Sequence, residues 1–177
     1  YGCISRYGVV AMASSTDCVG FFTKTPEDMD LLISECEKRG MAIMMDIVAN
    51  NTSSMHPWFI ESRKSKDNPY SDYYYWFDEP QNDWKTISGG NSWEYCEERG
   101  QYFFHHYDAT MPDLNWTNPK VREGINEVVD FWSGLGVDGF RCDVIHEISK
   151  DFKNGLMSMG PHIHEYINGI FGRPETK

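Results

Sequence analysis

Residues 118–144, NPKVREGINEVVDFWSGLGVDGFRCDV, read as a helix feeding directly into a strand. Asn118-Pro119 is helix-opening chemistry: Asn offers a capping oxygen, and Pro gives up only an N–H that the first turn leaves unpaired. Val121, Ile125, Val128, Val129 and Trp132 recur at helical spacing, and Gly134 and Gly136 end the run. Val137 to Val144 then makes a short strand. The same order occurs earlier in the chain. Pro26 and two acids open a helix over 26–39, Met29, Leu32, Ile33 and Cys36 share a face of it, Lys38 and Arg39 fill its last turn, and Gly40 stops it. Met41–Val48, MAIMMDIV, follows. It is apolar on both faces except at Asp46, so it is expected as a parallel strand buried on both sides. A third helix is expected over 161–171. Such alternation implies an α/β parallel sheet.

The chain has 177 residues, 16 Lys+Arg against 27 Asp+Glu, and a formal charge of −11. An acidic balance excludes nucleic acid as an expected partner, because a phosphate backbone requires clustered cations. No apolar run approaches the roughly 18 residues of a spanning helix, so no membrane partner is expected. Five cysteines without paired CxxC spacing suggest neither a metal site nor a disulfide framework, and reduced thiols in a cytoplasmic protein are the simplest account. The first residue is Tyr1. The length falls short of the roughly 200 to 250 residues of a complete eight-unit (β/α) barrel.

Residues 50–112 are different in kind, carrying four of the six tryptophans, most of the tyrosines and many turn residues such as Asp67-Asn68-Pro69 and Ser88-Gly89-Gly90-Asn91. A stretch this long inside an α/β unit is functional or a small domain of its own. Its rings are expected to divide between packing against one another and forming a wall on which sugar C–H faces stack.

In parallel α/β sheets reactive groups gather at the C-terminal ends of strands. The first strand places Asp46 there, followed by Asn50, Asn51 and Thr52. The second places Arg141 and Asp143 at i and i+2, on one face. The arginine favours the ionised carboxylate, the state a glycosidase nucleophile requires. On spacing alone, a structural Arg–Asp pair capping the strand is the plainer account.

GFRCDVI (139–145) resembles the nucleophile strand of the alpha-amylase family of glycoside hydrolases. MMDIVANNTSSMHPWF (44–59) resembles its third-strand motif, MPDLNWTNPKVR (111–122) the segment after its inserted B domain, and FIESRKSKDNPYSDYYYW (59–76) that insert in the oligo-1,6-glucosidase and trehalose-6-phosphate hydrolase branch. Four motifs in order, over about residues 26–171, make the resemblance specific. It implies an α/β fold that is part of a (β/α)8 barrel, about strands three and four with helices two to four: barrel segments at 1–49 and 113–177, domain B at 50–112. It also implies that Asp143 is the catalytic nucleophile and Arg141 the residue that orients it. Asp46 and Asn50 are implied as supporting residues, Tyr1 (by its short YGCIS stretch) and Tyr107 as aromatics of the first sugar subsite. Val144 would be the residue found in α-1,6-preferring members, and His146 would line the next subsite. The implied substrate is an α-glucosidic oligosaccharide, and no cofactor and no metal are expected.

Departures from the pattern shape the expectation. Asn51 stands where the family has a sugar-contacting histidine. The general-acid glutamate is expected on a strand outside this chain, and Glu147, Glu165 and Glu175 lie in no matching motif. Residues 8–22 follow no family pattern. The chain is therefore expected to be a fragment, inactive and marginally stable by itself, whose partner is the remainder of the barrel. His56 is expected as a packing or capping residue, and His105-His106 as neighbours facing opposite ways. A phosphorylated substrate would call on Lys64, Lys66 and Lys85, which otherwise read as solvated charges. A non-catalytic carbohydrate-binding remnant is the reading from another functional class.

Overall fold

The computed structural model of the chain describes Gly20 and residues 23–173. Two compact units divide at Met41 and Ala42, and each is described by itself. In the first, helix α1 (Pro26–Lys38) starts as its sequence dictates: the Thr25 hydroxyl accepts from the Asp28 N–H at 3.1 Å, with Pro26 in the first turn. Lys38 and Arg39 both pair with Glu35 near the end, and Gly40 follows at φ +64°. Tyr1, Cys3, Cys18 and, apart from Gly20, the unmatched stretch 8–22 lie outside the described residues.

The second unit holds β1 (Met44–Val48), α2 (Pro57–Ser62), β2 (Trp76–Phe77), β3 (Trp93–Cys96), β4 (Gln101–Phe104), α3 (Pro119–Gly134), β5 (Gly139–Asp143) and α4 (Ile163–Phe171). Two sheets result. β1 and β5 pair in parallel, with Asp46 opposite Arg141 and Val48 opposite Asp143. β2, β4 and β3 form an antiparallel sheet in that order. Asn118 caps α3 by accepting from the Lys120 N–H at 3.0 Å, and His56 caps α2 through Nδ1 from the Trp58 N–H at 3.2 Å. Both caps match their sequence reading.

One expectation is corrected. β1 is not buried on both faces: Ile47 is buried, but Met44 is 71% and Val48 46% exposed. Among the described residues the parallel sheet has only two strands, so one row of side chains has no layer over it. The other row is covered. Ile47 and Ala49 join Val121, Ile125 and Val129 of α3 and Ile163, Tyr166 and Ile170 of α4 in the main core. Arg173 ties α4 to α3 through a two-point pair with Asp130 at 2.8 Å.

The stretch after β1 departs and returns at adjacent points. Thr52 N–H donates to the Pro112 carbonyl, Ser54 N–H to Thr110, and Leu114 N–H to Asn50. Between these rungs most rings are packing elements. Phe59 sits among Tyr74, Trp76 and Phe103 at centroid distances of 5.0, 5.7 and 5.1 Å. Phe104, Trp93, Trp84 and Phe77 surround Phe152 from beyond β5. Arg99 is buried here without a carboxylate, its guanidinium 4.5 Å over Trp76 and bonded to Gln101 and to the Ser62 and Ser65 carbonyls.

Two glycines predict opposite responses. A Cβ on Gly124, mid-α3, would lie 2.5 Å from the Trp58 ring, whereas Gly169 in α4 has nothing within 4 Å. Gly124→Ala is expected to cost about 1–3 kcal/mol through overpacking, against a smaller helix-propensity gain. Gly169→Ala is expected to stabilise by about 0.5–1 kcal/mol. Urea unfolding of the two variants measures both signs.

A pH dependence follows from His105, just past β4 and 3% exposed. Burial holds its imidazole below the usual histidine value, although the carboxylates of Asp113, Glu94 and Asp108 pull the other way. The folded state thus prefers neutral His105, so this stability is present above the ordinary value of about 6.5 and is lost as pH falls through the folded value. The urea midpoint should decline below that pH, and less steeply in His105→Phe. His56, also lowered by burial, retains the rest of the slope.

Candidate functional site

Where β1 and β5 end side by side, three charged side chains meet. Arg141 Nη1 donates to both Asp46 oxygens, at 2.9 and 3.1 Å, and Nη2 reaches Asp143 Oδ1 at 2.9 Å. One guanidinium therefore holds two carboxylates from adjacent strands. The hydrogen bond that Arg141 donates to Asp46 and the negative charges of Asp143 and Asp46 raise the Arg141 pKa, so it stays a cation. Asp143 is the most enclosed of the three, its side chain 36% exposed against 57% for Asp46 and 58% for Arg141. The i, i+2 reading placed Arg141 and Asp143 together correctly. Spacing gave no sign that Asp46 shares the arginine, which depends on strand register.

The turn after Asp143 is unusual. Val144 adopts φ 42°, ψ 32°, the left-handed region that a β-branched residue rarely enters. The chain then tightens into a 3-10 turn over Ile145–Glu147. His146 is exposed on it, and Glu147 points inward with its side chain only 4% exposed. Glu147 Oε2 meets His106 Nδ1 at 2.7 Å, and Oε1 accepts from the Tyr107 hydroxyl at 2.9 Å. Burial pushes the Glu147 pKa up, but the bonds to His106 and Tyr107 and the charges of His106 and Lys150 hold it net below the usual carboxylate range. Tyr107 is displaced upward, by burial first and then by Glu147, Asp113 and Asp143, which puts its phenol within electrostatic reach of Asp143.

Beneath this lies a buried cation. Lys150 Nζ contacts Asp113 Oδ2 at 2.8 Å, Asn50 Oδ1 at 2.7 Å and the Glu147 carbonyl at 2.6 Å, which uses all three donors. Neither the Lys150 nor the Asp113 side chain is exposed. Asn50 Nδ2 donates back to Asp113 at 3.1 Å and approaches Asn51 Oδ1 at 3.4 Å. Asp113 Oδ1 accepts from the His106 N–H at 3.1 Å. Asn50 is thus a fully buried bracket, whereas Asn51 is half-buried and pairs across to Asp113 through its backbone.

Of the residues singled out from sequence, Asp46, Arg141 and Asp143 form one cluster and Asn50, Asn51, Tyr107, Val144 and His146 lie on the segments around it. Tyr1 is outside the described residues. Lys150, Asp113, Glu147 and His106 were missed as a connected set. Their partners are up to 100 residues apart, and a lone lysine in sequence reads as surface. The lysines offered for a phosphate are engaged elsewhere, Lys64 with Glu61 at 2.6 Å and Lys66 with Asp78 at 2.7 Å, while Lys85 is exposed. No group of three or more His, Cys, Asp or Glu among the described residues is placed to hold a metal. No helix among them is long and apolar enough to cross a membrane.

Removing the buried ammonium leaves Asp113 enclosed and unpaired. Lys150→Met is expected to destabilise by about 3–5 kcal/mol. Asp46→Asn, which breaks a solvent-exposed pair, should leave the unfolding midpoint nearly unchanged. Chemical denaturation of both variants separates the two classes of ion pair.

Comparison with known proteins agrees with this geometry. Residues 23–172 match the family model described as the alpha amylase catalytic domain. An oligo-1,6-glucosidase of Parageobacillus thermoglucosidasius is 52% identical over 163 residues, covering 81% of this chain and 29% of that protein. A trehalose-6-phosphate hydrolase of Bacillus subtilis is 41% identical over 158 residues, covering 81% and 28%. The crystal structure of isomaltulose synthase from Erwinia rhapontici NX5 superposes with a TM-score of 0.80 at 39% identity, over 85% of this chain and 30% of that one. The chain spans about three-tenths of the length of these relatives. With the strand-end cluster, the α/β arrangement and a match over most of its length in agreement, the chain belongs to the alpha-amylase catalytic domain family.

Proposed function

We propose that this chain supplies the nucleophile side of a retaining α-glucosidase that hydrolyses terminal α-glucosidic bonds, α-1,6 bonds first among them. The observation that carries the reading is the cluster of Asp143, Arg141 and Asp46 at the strand ends. Asp143 is the nucleophile, placed to attack the anomeric carbon, and Arg141 holds it ionised and oriented. Asp46 fixes the other side of that guanidinium, while Asn50 and Asn51 bring amide groups to the end of β1. Tyr107 walls the first sugar subsite. Val144 and His146 border the next one, Val144 being the residue on which the α-1,6 preference rests.

Retaining hydrolysis needs a second carboxyl group that arrives protonated and donates to the leaving oxygen. Glu147 is unsuited to that role, because both its oxygens are already engaged, by His106 and Tyr107, and its pKa is lowered from the usual carboxylate value. The reading therefore assigns the acid to the rest of a (β/α)8 barrel, to which β1 and β5 contribute adjacent parallel strands and residues 50–112 the inserted domain B. The exposed row of β1 at Met44 and Val48 supports a further layer of protein there. The free thiols of Cys36, Cys96 and Cys142 support a cytoplasmic location. An α-1,6 substrate is favoured over a phosphorylated disaccharide because Lys64 and Lys66 are already paired with Glu61 and Asp78.

A second reading, a non-catalytic carbohydrate-binding remnant, is favoured by the same unsuitability of Glu147 as an acid. Kinetics on isomaltose decide between them. In the full-length protein, Asp143→Asn should lower kcat by about 10⁴-fold while isomaltose still binds. The 177-residue chain by itself should show no turnover. Turnover that survives Asp143→Asn would overturn the nucleophile assignment, and binding without turnover in the full-length protein would select the remnant.

A further inference from the structure

Among the described residues, two non-glycine residues have positive φ, Val144 at 42° and Met159 at 53°. Left-handed backbone crowds an L side chain, and a β-branched residue tolerates it worst. Such conformations persist only where the surrounding structure over-determines them. The two residues are joined. Val144 opens the turn after Asp143, and the Met159 N–H donates to the His146 carbonyl of that turn at 2.8 Å. Met159 is 60% exposed, so side-chain packing gives no reason for its conformation. Its backbone hydrogen bond does.

Residues 151–160 form the strap that delivers this bond. Asp151 and Leu156 exchange backbone hydrogen bonds at 2.7 and 2.9 Å, and the Asp151 carboxylate accepts from the Asn154 N–H and side-chain amide at 3.1 and 2.7 Å. One end is anchored by Phe152, whose ring lies 4.9 Å from that of Tyr75 and 5.3 Å from those of Trp84 and Phe104. The other end is pressed against the chain that leaves the turn. Gly160 N–H donates to the Ser149 carbonyl at 2.9 Å, and His162 N–H to the Ser149 hydroxyl at 3.2 Å. A Cβ on Gly160 would lie 2.6 Å from that carbonyl oxygen, so the two backbones meet only because residue 160 has no side chain.

Within the turn, the Glu147 N–H returns to the Val144 carbonyl at 2.9 Å. The Glu147 side chain and Lys150 hold the far end of the turn, and the strap holds its middle. Relaxing Val144 to right-handed values would turn its φ by roughly 100° and break the path from strand to turn, with Asp143 at the joint. We propose, resting on the nucleophile assignment above, that the strap 151–160 is a positioning element for Asp143. The bond from Met159 to His146 and the close approach of Gly160 to Ser149 keep Val144 left-handed, and so fix the direction of the attacking carboxylate. The strap acts through the backbone of the turn rather than by contact with the saccharide.

An α-glucosyl fluoride carrying a second fluorine on its ring reads the attack of Asp143 by itself. The C1–F bond breaks as an Asp143 oxygen bonds to C1, fluoride leaves with the electron pair, and no proton is required, so the general acid is not called on. Labelling of the full-length protein is followed by intact mass, the labelled residue by peptide mapping, and folding by circular dichroism. Gly160→Ala is expected to slow labelling about tenfold in folded protein, because small misplacements of a reacting group lower its rate steeply. In a Val144→Gly background the left-handed backbone needs no support. There the same substitution is expected to slow labelling by less than about threefold, a coupling that a merely structural strap would not show. If Gly160→Ala does not fold, Phe152→Leu, which loosens the other anchor, takes its place in the same two backgrounds and is read the same way. Slowing of less than about threefold in the wild-type background, or an equal fall in both backgrounds, overturns the proposal. A wild-type protein with no label on Asp143 defeats the nucleophile assignment, and the proposal falls with it; a labelled wild type with indifferent variants defeats the proposal alone.

Discussion

A buried ammonium is the constraint on which the second unit is organised. Lys150 joins the end of β1 through Asn50, the return of the long excursion through Asp113, and the turn after β5 through the Glu147 carbonyl. Desolvating a charge is expensive, and only complete pairing makes it tolerable. Every donor is used, so the cost of disorder at this point is high and the three segments share one geometry. The same demand explains why Asp113, with one oxygen toward Lys150 and the other toward the His106 amide, sits where the excursion closes. Arg141, by contrast, works at the surface, where it sets orientation more than stability.

How much of this was legible in the sequence depended on range. Helices α1, α3 and α4 were readable because their signals are local: Thr25 and Pro26, Asn118 and Pro119, and the apolar rows behind them. The pairing of Arg141 with Asp143 was readable for the same reason, as alternation along one strand fixes it. MAIMMDIV misled, because a continuous apolar run records what a strand is built to bury. It does not say what lies against it among the described residues, and Met44 and Val48 are open. The Lys150 and Glu147 networks were illegible because each bond joins residues tens of positions apart, and because lysine and glutamate read as solvent-facing unless a partner is in view.

The aromatic stretch shows a related limit. Most of its rings pack against one another, but composition gave no rule for which of them do. Phe59, Trp76, Phe103 and Phe104 serve packing, in edge-to-face or stacked contacts typical of dense cores. Tyr107 differs in that its hydroxyl has a buried acceptor, the Glu147 carboxylate, and its ring lies against His106. The family match spans both strands that bring Asp46, Arg141 and Asp143 together, and the Glu147 network follows directly on the second of them.

The rungs at Thr52–Pro112 and Ser54–Thr110 carry a last consequence. They clasp the two ends of the excursion like a buckle, while its interior is tied separately to the chain beyond β5, through Phe152 and through Glu147. Ile87, although 69% exposed, donates its N–H to the His106 carbonyl at 3.0 Å, and the His106 ring meets Glu147 in the turn after Asp143. A scaffold wired in this way couples its outer loops to the turn after β5, so a change of loop length there has to be absorbed without shifting His106.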